Sequence, residues 1–154
     1  MNGDRLGTDL RLLTDLERQD SRRPGSDLVT ITPEGRAGTD LDIVSGARNL
    51  QQALLLRFLT RVGDLAPLGH ADYGSRLFEL IGELNSDTNR NRAKLFVLQA
   101  LAAEPRVKEV RSVLVTQSPN DRTRMDIAIS LVPIDGDVLL DLVFPFFLSG
   151  GVGR

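Results

Sequence analysis

Apolar residues along this chain follow two periods, and the change from one to the other falls at a single place. Ala93, Phe96, Val97, Ala100 and Leu101 recur at i, i+3, i+4, i+7 and i+8, one stripe of a helix. Further on, Met125, Ile127, Ile129 and Leu131 alternate with Asp126, Ala128 and Ser130, the pattern of a half-buried strand. The switch lies at Glu104-Pro105-Arg106. Pro105 has no N–H and keeps its predecessor out of the helical region, so the helix is expected to end by Ala103 or Glu104. Glu104 then faces the negative end of the helix dipole, a penalty of roughly 0.3–1 kcal/mol. An internal pair with Arg106 or Arg111, or a cation on a partner, would offset it.

The same patterning predicts the remaining elements. Leu50, Leu54 and Phe58, with Leu55, Leu59 and Val62 beside them, predict a helix from Ser45 or Gly46 to about Val62, capped by Gly63. Ser75 is the expected cap of a short helix through Leu77, Phe78, Leu80 and Ile81, ended by Gly82. Ser86 or Asp87 starts the third helix, with Arg90, Arg92 and Lys94 on its polar side. Upstream, Gly7-Thr8-Asp9-Leu10, Gly25-Ser26-Asp27-Leu28 and Gly38-Thr39-Asp40-Leu41 repeat turn chemistry ahead of a short alternation. They predict three short strands in one antiparallel unit, although a helix over 9–19 with Thr8 as its cap competes for the first. Downstream, strands are expected over 107–116, 125–131 and 138–148, the last two joined by a two-residue turn at Asp135-Gly136. The fold class is therefore α+β, with short N-terminal strands and three helices packed on a C-terminal three-stranded antiparallel sheet. Residues 1–37 form an extension of short strands or helix, and 38–150 form the main domain.

The last strand stands apart. Val138, Leu140, Leu142, Phe144, Phe146 and Phe147 make it apolar on both faces, with Asp141 its one charge. Pro145 cannot donate to a ladder, so it belongs on an edge or at a bulge. Free-standing proteins blunt long apolar edges. Either the protein's own helices cover this strand, or another chain pairs with it, or two copies pair with each other.

Composition narrows the chemistry. At 154 residues, 41% hydrophobic and 26% charged, the chain is an ordinary globular protein large enough for a real core. Its net charge of −2 argues against a nucleic-acid binder. No apolar run reaches the length of a membrane span, and the polar, charged start at residues 1–10 gives no secretory signal. Without cysteine there are no disulfides and no thiolate metal sites. His70, the single histidine, stands near Asp72 in a loop with Tyr73 and Gly74. A metal site or a catalyst there could recruit only carboxylates. No cofactor is expected. The plainer reading has His70, Tyr73, Gly74 and Arg76 ordering the loop.

Asn49-Leu50-Gln51-Gln52-Ala53, Leu59-Thr60-Arg61-Val62-Gly63, Tyr73-Gly74-Ser75-Arg76-Leu77 and Glu104-Pro105-Arg106 follow one another at spacings that carry a resemblance. Together they resemble the baseplate wedge, or sheath-initiator, family of contractile tails, found in contractile phages, type VI secretion systems and extracellular contractile injection systems. The likeness spans roughly residues 38–148, and the Leu68-to-Gly74 loop looks more like the injection-system and Mu-like phage branch. The resemblance implies a structural subunit, not an enzyme. It is expected to assemble in the bacterial cytoplasm and then to form part of a contractile particle. Its implied partners are the sheath protein and the baseplate wedge proteins, with inner tube or hub proteins as further candidates; neither nucleic acid nor membrane insertion is expected. Glu104, Pro105 and Arg106 would dock on the wedge core bundle. The strand carrying Val138, Leu140, Leu142, Phe144, Phe146 and Phe147 would pair with the first sheath ring. The rival is a lysozyme-like peptidoglycan hydrolase using His70, Asp72 and Glu79, although glycoside hydrolysis needs two placed carboxylates and no spacing marks such a pair.

Overall fold

Seven strands and two α-helices, with two 3-10 turns between the helices, make up residues 5–13 and 30–149, which the computed structural model describes. The strands are β1 (Thr8–Leu10), β2 (Thr30–Ile31), β3 (Asp40–Leu41), β4 (Ile43–Ser45), β5 (Val107–Gln117), β6 (Arg124–Pro133) and β7 (Leu140–Phe147). The helices are α1 (Gly46–Leu59) and α2 (Asp87–Ala102); the turns cover Ala66–Leu68 and Leu77–Leu80.

The C-terminal sheet is an antiparallel meander in the order β5-β6-β7. One face of it is covered by the helices, α1 against β7 and α2 against β5. The strand period decides what goes inside. Met125, Ile127, Ile129 and Leu131 of β6 and Leu142, Phe144 and Phe146 of β7 are buried. From the other side come Leu50, Leu54, Leu55 and Phe58 of α1, and Ala93, Phe96, Val97, Ala100 and Leu101 of α2. Phe58 stacks on Phe144 with ring centroids 5.1 Å apart. Each such large side chain contributes roughly 1.5–3 kcal/mol by leaving water, so this layer is the main source of stability.

Three polar side chains on α1 tie the rest of the chain to this layer. Asn49 Nδ2 donates to the Leu6 carbonyl at 3.0 Å, and Leu6 is itself in the core. Gln52 Oε1 accepts from the N–H groups of Leu12 and Leu13 at 2.8 and 3.2 Å, while its Nε2 donates to the Leu10 carbonyl at 2.8 Å. Gln51 Nε2 reaches the Asp141 carbonyl on β7 at 3.5 Å.

Several expectations are corrected. There are two α-helices among the described residues, not three. The segment after Ser75 makes only the 3-10 turn Leu77–Leu80, because Ile81 is extended and the Gly82 N–H is used by the Leu148 carbonyl at 2.7 Å. Helix α1 stops at Leu59 rather than near Val62. Thr60 turns extended, and residues 60–62 form a parallel bridge with Ser75 through Ser75 N–H to Thr60 O (2.9 Å) and Val62 N–H to Ser75 O (3.1 Å). The N-terminal strands are not one unit. β1 pairs with β4 and β2 with β3, in two separate ladders. The Gly25-Ser26-Asp27-Leu28 repeat and most of the competing helix over 9–19 lie outside the described residues, while 8–10 are strand. No two-residue hairpin forms at Asp135-Gly136. The connection runs over 134–139, where the Ile134 N–H is taken by the Arg106 carbonyl at 3.0 Å. β7 therefore begins at Leu140, leaving Val138 and Leu139 81% and 52% exposed.

The bridge at residues 60–62 explains Gly74. Its φ is +116°, and a Cβ there would meet the Thr60 carbonyl oxygen at 2.6 Å and the Val62 nitrogen at 2.8 Å. Both are backbone atoms that cannot rotate away. Gly74→Ala is therefore expected to destabilise the protein by about 1–3 kcal/mol, read by urea denaturation; a loss within error would mean that the bridge readily shifts.

Candidate functional site

Helix α2 opens as its sequence suggests, with the Ser86 hydroxyl accepting from the Asn89 N–H at 3.2 Å. It closes at the Glu104-Pro105-Arg106 break. Glu104 is only 4% exposed, and its carboxylate is enclosed by cations. Arg106 Nε and Nη2 donate to its two oxygens at 2.7 and 3.2 Å, and the Arg106 N–H donates at 3.3 Å. Arg57 of α1 adds Nη2 at 3.3 Å. Of the alternatives that the sequence leaves open, the internal Arg106 pair is the one formed; Arg111 pairs with Glu109 at 3.2 Å instead. The second cation, Arg57, lies 47 residues away and carries no sequence signal except a charge set among Leu54, Leu55 and Phe58.

The cluster reaches further. The Arg57 guanidinium sits over the Tyr73 ring at 4.5 Å, and Arg106 Nη1 lies 3.4 Å from the Leu6 carbonyl. Burial pushes the Glu104 carboxyl toward a higher pKa, yet the hydrogen bonds from Arg106 and the charges of Arg106 and Arg57 together hold it below its usual value. Burial also raises the Tyr73 hydroxyl, with Arg57 opposing. Of the triplet, Pro105 is exposed and Arg106 half-buried, so those two form the surface that Glu104 supports from beneath.

The second candidate surface is β7. The pairs Met125↔Phe146, Ile127↔Phe144 and Ile129↔Leu142, with the Leu148 N–H bonded to the Thr123 carbonyl at 2.7 Å, fix which backbone groups face β6. Even-numbered residues of β7 bond inward; Asp141, Val143, Pro145 and Phe147 turn their backbone groups away from β6. No strand among the described residues pairs with that outer side. Pro145 therefore stands where its missing N–H costs the ladder nothing. Of the strand residues singled out from sequence, Leu142, Phe144 and Phe146 are buried beneath the helices, Leu140 and Phe147 are half-buried, and Val138 lies outside the strand. Val143, 41% exposed and on the outward row, escaped notice. The parity of the alternation is the signal that could have found it.

The loop residues are placed differently. His70 is exposed and bonds through its backbone, N–H to Leu65 O and O from Tyr73 N–H. Asp72 is exposed. Arg76 grips Glu79 through Nε and Nη2 at 2.7 and 3.0 Å and lies over the Phe96 ring. The Arg76 hydrogen bond pulls the Glu79 carboxyl below its usual pKa, the opposite of what a general acid needs. Among the described residues no group of His, Asp and Glu side chains could hold a metal ion.

Among solved structures, the chain matches the crystal structure of a "putative tail lysozyme" from Geobacter sulfurreducens, at a TM-score of 0.55 and 22% identity. The match covers 62% of this chain and 85% of that one, so the two share a fold. No protein-family model matches the sequence, and no curated protein does.

Because the folded Glu104 pKa is lowered, its contribution to stability is complete above the unfolded value near 4.5 and is lost as pH falls through the folded value. Glu104→Gln leaves Arg57 buried without its counter-charge and is expected to cost about 3–5 kcal/mol at neutral pH. It should also flatten the acid limb of stability against pH. Urea titrations across the acid range test both; a variant that unfolds like the parent protein would show that the cluster stabilises nothing.

Proposed function

We propose that this chain is a structural subunit of a contractile-tail baseplate that seeds the sheath by accepting a sheath strand on the outer edge of β7. The observation that carries this reading is the contrast between the two edges of the sheet. β5 is blunted by register shifts at Val107/Glu109 and Val110/Ser112 and by Lys108, Glu109 and Arg111. β7 has one charge, Asp141, and one proline set where the ladder does not need a donor. An edge of that kind suits strand addition, in which main-chain bonds supply affinity. The fold shared with the "putative tail lysozyme" supports a tail-associated protein, and the quoted sequence elements support the contractile baseplate. Docking on the wedge proteins would fall to Pro105 and Arg106, with Glu104 holding Arg106 in place rather than touching the partner. The inner tube and hub remain further candidate neighbours.

Deleting the strand would remove Leu142, Phe144 and Phe146 from the core, so point changes on the outward row are the sharper test. Val143→Pro removes one outward N–H and leaves every bond to β6 in place; Val143→Lys adds an edge charge. Both are expected to fold and to reduce sheath seeding, counted as sheaths nucleated per subunit by electron microscopy, by about tenfold or more, the loss of roughly 1.4 kcal/mol of interaction. Undiminished seeding by both variants would remove the strand-pairing reading. Arg106→Lys keeps the charge but loses the guanidinium fork; it is expected to weaken wedge capture, and unchanged capture would remove the docking half.

A further inference from the structure

The last third of β7 borders an apolar groove of about 300 Å³, lined by Phe58, Leu59 and Arg61 at the end of α1, by Phe78 and Ile81, and by Phe146. Its floor is Phe58, 2% exposed on its stack with Phe144, while Leu59 and Ile81 at the rim are 57% and 48% exposed. Arg61 lies over the Phe78 ring at 4.5 Å and pairs with no carboxylate among the described residues. A cation with no carboxylate partner among the described residues thus stands beside an apolar depression, and both adjoin a strand edge to which no described strand is paired.

Main-chain bonding alone offers an incoming strand little here. The outward carbonyl of Asp141 already accepts from Gln51 Nε2, and Pro145 brings no N–H, so pairing is confined to the part of the strand from Val143 onward. So short a ladder sets register without much hold, and side chains must do the anchoring. We infer that the groove takes a large apolar side chain of the sheath strand that joins β7, and that a carboxylate two residues from it on that strand meets Arg61. This rests on the sheath-seeding reading above and adds the partner's sequence requirement to it. Side chains on one face of a strand recur every second residue, so an apolar residue directed into the groove leaves the residues two positions before and after it able to reach the rim.

The test uses the full chain and a contractile-tail sheath protein, with capture measured over a range of salt. Ile81→Glu puts a charge at the mouth of the groove and is expected to weaken capture about tenfold or more. Arg61→Gln removes the rim cation and is expected to weaken capture a few-fold at low salt and to flatten its salt dependence, because an exposed ion pair is screened. Both sites are exposed, and thermal melts verify that the variants fold. If Val143→Pro abolishes capture while the two groove variants match the parent protein in strength and salt dependence, the groove inference is overturned and the edge reading stands. If Val143→Pro itself leaves capture intact, the edge reading falls and the groove inference falls with it.

Discussion

A carboxylate buried at the C-terminal end of a helix is unfavourable twice over, by desolvation and by the helix dipole. Glu104 tolerates that position because two arginines converge on it, one from α1 and one from the first residues after the proline. The consequence is architectural. Arg57 sets the end of α1 against the end of α2, Arg106 sets the entry of β5, and Arg106 Nη1 and Asn49 both reach the Leu6 carbonyl of the N-terminal segment. Remove the carboxylate and each of these parts loses a common reference point. A buried ion pair adds little net stability over a well-packed apolar alternative, so its value here lies in specifying one arrangement of four segments.

The same junction leads into the sheet. Pro105 follows α2 and Arg106 leads into β5, the strand whose ladder with β6 is twice shifted in register. Those shifts twist and blunt the β5 edge. The opposite edge carries no such device. Gln51 covers only the Asp141 carbonyl, and Pro145 lies where it neither damages the β6 ladder nor offers a donor outward. One sheet thus has a blunted edge and a restricted open one.

Much of this was legible in one dimension. The stripe Ala93, Phe96, Val97, Ala100, Leu101 is entirely buried, and the alternation over Met125 to Leu131 lies in a strand whose odd residues face the helices. Ser86 and Pro105 bracket α2 for local reasons that a sequence displays. What escaped was decided by distant partners. Arg57 reads as a charge on an apolar helix until Glu104 is brought to it. The segment from Leu77 is too short to recover the cost of nucleating an α-helix, and Gly82 is drawn to Leu148 instead. Asp135-Gly136 has strong hairpin chemistry, but the Arg106 carbonyl claims the Ile134 N–H and the connection widens.

The open edge also bears on which neighbour would suit it. If two copies paired antiparallel about a two-fold axis through Val143, each Pro145 would stand opposite the Asp141 of the other copy. At both ends the bond from residue 145 would lack its donor, and its acceptor would already be held by Gln51. The defect is therefore met twice in a self-pair. A foreign strand with a full set of N–H groups meets it once, and can place a residue of its own choosing beside Pro145. Shifting the axis to Pro145 puts two donorless residues face to face at the centre, which is worse. The proline that leaves the inner ladder intact thus weakens self-association more than it weakens pairing with another protein, and an edge built this way favours a heterologous neighbour without any added charge.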